Sequence, residues 1–172
     1  REWERGTMEQ LAATPVRPAE VIVGKLLPYL AVGMIDVLVV GFIGDAVFGV
    51  PFRGNVVFFL GASFFFLVGS LSLGILLSSA LKSQMLAVQI AMVATYLPSF
   101  LLSGFMFDIV NMPKALQVIS LVVPARYYIT AVRGIMLKGA GPDVLWAHGL
   151  GMVIFGTVAL ALAVRAFRKE IG

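Results

Sequence analysis

Four stretches of this sequence run for about twenty residues or more with almost no charge, and that constrains the fold before anything else. They are Leu26 to Phe48, Val56 to Leu81, Met85 to Phe107 and Val144 to Val164. A helix needs roughly 20 apolar residues to cross a bilayer, because each residue rises about 1.5 Å and the hydrocarbon core is about 30 Å thick. No water reaches the backbone at that depth, so a lone apolar stretch must satisfy its own peptide groups, as a helix does. The expected fold class is an all-α membrane protein with four transmembrane helices. Composition agrees: 60% of the 172 residues are hydrophobic and 13% charged, against about 45–50% and 25% in a soluble domain. A soluble fold of this size buries only about 70% of its surface, so the excess could not be hidden in water. An ordinary soluble enzyme, a disordered segment and a nucleic-acid binder are excluded.

The rest of the chain divides around these blocks. Residues 1–25 are polar, 26–48, 56–81, 85–107 and 144–164 are spans, 108–143 is a loop region, and 165–172 is a basic tail. The longest uncharged run of the loop region, Ala115 to Ala125, has 11 residues, a length that suits a re-entrant or interfacial piece. It reads as two short helices, Pro113 to Val122 and Ala125 to Leu137, joined at Pro124, which disfavours a continuous helix. With four spans both ends lie on one side. That side carries eight basic residues (Arg1, Arg5, Arg17, Lys25, Lys82, Arg165, Arg168, Lys169) against five on the other, which puts both ends in the cytoplasm. The +4 net charge thus reads as flanking charge on spans, with no nucleic-acid partner. The chain opens at Arg1 on a charged stretch, with neither an initiator Met nor a signal-peptide pattern, and reads as a fragment.

In the polar segment, Thr7-Met8-Glu9-Gln10 matches a capping box, with Thr7 and Gln10 each positioned to satisfy the other's backbone N–H. Met8, Leu11 and Ala12 follow on one face. Thr14-Pro15 stops the helix, and Pro18 can open the next one. A helix this short is unstable alone in water, so something must pack on Met8 and Leu11. Membrane lipid headgroups and a cytoplasmic docking partner both qualify.

Catalytic signatures are missing. Gly24-Lys25 is followed by Leu26, which is no phosphate loop, and there is no G-x-S-x-G elbow. One histidine and no cysteine cannot make a usual zinc site, and no metal is expected. His148, beside Trp146, reads as an interface residue. Asp36, in mid-block, is the most informative single residue, because an acid at that depth faces a bundle interior or a cavity. It is either a substrate or proton contact or a residue hydrogen-bonded to a neighbouring helix. Asp45 lies nearer the outer end. Pro98 should kink the third span and free a carbonyl, as a gate or as a plain bend. Asp36 and Pro98 are the candidate substrate-pathway residues. Arg126 and Arg133 share one face of the second short helix, suited to anionic groups or to a solvated or acid-paired surface. Ser70, Gly74 and Ser78 form a small-residue stripe for close helix approach within or between subunits.

Four stretches carry a family resemblance. The first is Arg1-Glu2-Trp3-Glu4-Arg5-Gly6-Thr7-Met8-Glu9-Gln10-Leu11 with Thr14-Pro15-Val16-Arg17-Pro18 and Gly24-Lys25. The second is Leu102-Ser103-Gly104-Phe105-Met106-Phe107 with Met112-Pro113. The third is Pro124-Ala125-Arg126-Tyr127-Tyr128 leading to Arg133-Gly134-Ile135 and Leu137-Lys138-Gly139. The fourth is the basic tail Arg165 to Lys169. Together they resemble the C-terminal part of an ABC-2-type transporter permease, the membrane subunit of a bacterial ABC exporter. The resemblance implies that Gly6, Thr7, Met8, Glu9, Gln10, Leu11, Thr14 and Pro15 form a coupling helix that docks on a separate cytoplasmic ATP-binding subunit. ATP and Mg would be held by that partner, and this chain would not be an enzyme. It implies that the spans are the third to sixth of six, and that the permease pairs with a second, like or related, permease subunit in the bacterial inner membrane. Residues 108–139, with Pro124, Arg126, Tyr127 and Arg133, would form extracellular re-entrant helices. Asp108 departs from the pattern, since many relatives carry Pro there. The competing readings are a secondary transporter or channel using Asp36, and a non-transporting scaffold subunit.

Overall fold

The computed structural model describes residues 18–81 and 83–171. Helix α1 spans Pro18–Ala46 and α2 spans Val56–Ala80. Helix α3, Gln84–Ala91, widens into a π-helical turn, Met92–Tyr96, and continues as α4, Leu97–Leu102. After a 3₁₀ turn at Ile109–Asn111 come α5 (Lys114–Ser120), α6 (Pro124–Lys138) and α7 (Pro142–Ile171). The described residues form no strand. Four helical segments are long and apolar enough to span: Ala19–Ala46, Val56–Ala80, Met85–Leu102 and Pro142–Ala166. The eight coupling residues from Gly6 to Pro15 lie outside the described residues.

The helix ends depart from the apolar blocks for local reasons. Helix α1 starts at Pro18, not Leu26, because proline suits a first helical turn, and Glu20 there favours the helix dipole. It closes at Gly49, whose φ of 63° is left-handed; the N–H groups of Gly49 and Val50 reach the carbonyls of Asp45 and Gly44 at 3.1 and 3.0 Å. Asn55 then caps α2, its side-chain oxygen accepting from the Val57 and Phe58 N–H groups at 2.8 and 3.2 Å. The third span stops at Leu102 and does not reach Phe107, since the chain turns at Gly104 with φ 84°. Helix α7 runs past the apolar zone into the basic tail, where Arg and Lys remain good helix formers.

The two short helices are bent by 86° to one another. Val123 takes an extended conformation, the one that a following proline imposes, and Pro124 opens α6 where its missing N–H costs nothing. The helices run over Lys114–Ser120 and Pro124–Lys138, so Pro124 belongs to the second helix and the joint lies at 121–123.

The centre of the molecule is the α2–α7 pair. Its contact face is built from small residues: a Cβ at Gly156 would stand 2.8 Å from the Phe65 carbonyl oxygen, and one at Gly69 would stand 2.3 Å from the Phe155 ring. Helix α6 lies across this pair, burying Ala131 beside Ala62 and Met152, and Ile135 beside Phe59 and Leu145. Helix α1 packs with Gly33 against Leu67, while its Ile22 and Leu26 meet Ala163 near the end of α7. The start of α1 and the end of α7 therefore sit at one end of the bundle, as an even number of spans requires. The Ser70, Gly74 and Ser78 stripe is exposed; within the chain, close approach of α2 instead uses Phe59, Ala62, Ser63, Gly69 and Ser72, all buried.

Candidate functional site

The third span, like α1, buries little of itself, and much of its apolar surface is open. A cavity of about 640 Å³ lies between it and α2, bordered by Ile119 of α5, the joint at Val122 and Val123, Pro124 of α6 and Phe155 of α7. That volume lies in the range of small-molecule sites, roughly 300–1,000 Å³. Among the described residues the wall is apolar, with hydroxyls of Ser70, Thr95, Tyr96 and Ser99 and no acid or base. The Thr95 hydroxyl is already used, donating to the Ala91 carbonyl.

Pro98 lies in this wall. It has no N–H to give the preceding turn, and its ring crowds the carbonyl four residues back. The backbone before it widens into the π turn at Met92–Tyr96, a form common where a helix bends or carries a site. Pro98 and Leu102 also line a second cavity, of about 570 Å³, on the other side of α4, against Phe107, Met112 and Leu116. Helix α4 is thus a one-and-a-half-turn partition between two apolar spaces. It stands between a π turn and a left-handed glycine.

The α6 residues hold this region together. The Arg126 guanidinium donates to the Ser120 hydroxyl at 2.6 Å and to the Gln117 carbonyl at 3.3 Å, and the Tyr127 hydroxyl donates to the Leu121 carbonyl at 2.9 Å. Together they add donors at the end of α5, where the Ser120 hydroxyl also donates to the Gln117 carbonyl at 2.7 Å. Arg133 donates to the carbonyls of Gly104 and Phe105 at 3.1 and 3.4 Å, tying α6 to the end of the third span. The two arginines do share a face, but their partners are a hydroxyl and carbonyls where a solvated or acid-paired surface was one expectation. One contact unread in the sequence joins α6 to α2: Ser63 and Tyr128 hydroxyls meet at 3.0 Å, beneath a stack of Tyr128 on Phe66 with ring centroids 4.4 Å apart.

Pro98 and Pro124 share the wall of the larger cavity. Asp36 is exposed on α1 and lines neither cavity. Asp45 lines a separate cleft of about 290 Å³ with Val37, Phe52 and Phe59. The His148 ring lies 6.0 Å from that of Tyr127, and its Nδ1 is buried with no hydrogen-bond partner among the described residues. The π turn left one usable signal in the sequence, a threonine three residues before a proline within a span.

The family model described as ABC-2 type transporter matches residues 1–137. A probable multidrug ABC transporter permease, YbhS of Escherichia coli K12, is 36% identical over 162 residues, which cover 94% of this chain and 43% of the relative. The inner membrane transport permease YhhJ of the same strain is 28% identical over 176 residues, covering 100% of this chain and 46% of the relative. ABC transporter G family member 20 of Dictyostelium discoideum is 29% identical over 138 residues, 79% of this chain and 18% of the relative. The chain therefore spans under half the length of these relatives. No solved structure matches it significantly.

Proposed function

The chain belongs to the ABC-2 type transporter family, and from that premise we propose that it is the membrane permease part of an ABC exporter, moving substrate outward across the bacterial inner membrane. The family match over residues 1–137 carries this reading. Energy comes from a separate ATP-binding subunit, which holds ATP and Mg and docks on the segment from Gly6 to Pro15. Both ends of the chain face the cytoplasm, and the permease acts as a pair of like or related subunits.

The geometry suggests how the work divides. Helices α2, α6 and α7 form a body whose glycine contacts permit little sliding. The third span is loosely held and contains the π turn and Pro98, so it is the element that shifts when the ATP-binding subunits close. Substrate is taken up in the space beside Pro98, and its uncharged wall suits a largely apolar solute. The rival, a secondary transporter using Asp36, gains no support from Asp36's position off both cavities.

The test uses the full-length protein. A cysteine at Gln10, given a thiol-to-amine crosslinker in native membranes, should capture a soluble ATP-binding protein in an ATP-sensitive way. Leu11→Asp should abolish transport and leave insertion intact, whereas Asp36→Asn should not mimic it. Normal transport by Leu11→Asp would sink the coupling reading.

A further inference from the structure

Asp36 lies near the middle of the span Ala19–Ala46, ten residues from its nearer end. At about 1.5 Å per residue that end is roughly 15 Å away, far beyond the reach of an aspartate side chain. The carboxyl is exposed, and no described residue hydrogen-bonds or pairs with it. Around it runs a stripe at helical spacing: Tyr29, Val32, Val40 and Ile43, which are 67%, 57%, 68% and 42% exposed. The bundle-facing stripe of α1 is another one, with Ile22, Leu26, Gly33 and Val37. At about 100° per residue the two stripes adjoin, their mean directions differing by roughly 70°, about a fifth of a turn.

An acid at this depth persists when another group pairs with it or hydrogen-bonds it. We infer that the Asp36 stripe is a helix–helix interface, covered in the whole protein by a transmembrane helix from the part of the polypeptide beyond this chain, which sets a cationic or amide side chain opposite the carboxyl. The chemistry selects the occupant. A second copy, laid stripe to stripe in the same orientation, would bring Asp36 against Asp36, and like charges repel. No Lys or Arg of this chain lies in the middle third of a span, so a copy offers no cation at that depth. The matched relatives run to more than twice the aligned length, which leaves ample chain to supply another helix. This inference needs only the membrane reading of α1 and stands apart from the ATP-coupling reading.

The test places a nitroxide at Val40, and separately at Phe42, in the full-length protein in liposomes. Collision with oxygen, which concentrates in the bilayer core, is then measured. Val40 should be shielded at least three-fold relative to Phe42, with no dipolar broadening between labels. Asp36→Asn, which keeps a hydrogen-bonding group, should retain that shielding, while Asp36→Leu should lose it or lower the yield of folded protein several-fold. Equal oxygen access at the two positions would overturn the interface. Dipolar broadening at Val40 would overturn the assignment in favour of a second copy. Unchanged shielding and yield in Asp36→Leu would remove the carboxyl from the account.

Discussion

Gly156→Ala tests whether the α2–α7 contact holds the molecule together. The new methyl would lie 2.8 Å from the Phe65 carbonyl oxygen and 3.4 Å from the Phe65 ring. Ordinary contact begins near 3.4 Å, so the helices must part by about 0.6 Å. The obstacle is backbone and cannot rotate away, unlike the Phe155 ring edge that faces Gly69. Forcing a methyl into a filled interface costs about 1–3 kcal/mol, and separation also weakens the neighbouring van der Waals contacts. Against this, alanine gains up to about 1 kcal/mol over glycine in helix propensity. The expected net loss is about 1–2 kcal/mol. Gly74→Ala is the matched control, because a Cβ there meets nothing within 4 Å and only the propensity gain remains. Unfolding of the purified full-length protein by SDS in mixed micelles reads both. Gly156→Ala should unfold at a lower SDS fraction than wild type, and Gly74→Ala at an equal or higher one. If Gly156→Ala proved as stable as Gly74→Ala, the tight-contact argument would be wrong.

Three further outcomes are expected. Asn55→Ala removes the cap of α2 and should cost about 1 kcal/mol, read in the same assay, with Asn55→Asp close to wild type. Arg133→Gln should loosen the tie between α6 and the end of the third span, raising hydrogen exchange or protease cutting across residues 103–113; Arg133→Lys should recover only part of the protection, since one ammonium cannot span both carbonyls. Ser63→Ala and Tyr128→Phe should show a coupling of about 0.6–1 kcal/mol in a double-mutant cycle, and additive losses would mean that the two hydroxyls do not bond.

Much of the architecture was legible because a bilayer imposes a length and a polarity on whatever crosses it. Val56–Ala80 is nearly the apolar block itself. The bent pair was readable from a short apolar run ended by Pro124, although the joint falls before the proline because the proline constrains the residue preceding it. The small-residue stripe shows where such reading stops. Ser70, Gly74 and Ser78 have the spacing of a packing face, yet α7 meets α2 at Gly69 and Phe65. Spacing marks what could allow close approach, and only the neighbour's arrival decides which stripe is used. The arginines behave alike. Their shared face followed from a seven-residue interval, but their partners are a hydroxyl and carbonyls beyond their own helix, on α5 for Arg126 and at the end of the third span for Arg133.

By itself, then, the sequence determined that the chain carries four helices long and apolar enough to cross a membrane, and that its motifs are those of an ABC-2 permease. These follow from local composition and short patterns, which a linear reading contains. Tertiary structure alone decided that α2 and α7 form the tight centre, that α4 stands between two cavities, and that Asp36 faces away from both. Each depends on which surfaces of several helices meet, and that is set by shape complementarity among residues widely separated in the chain.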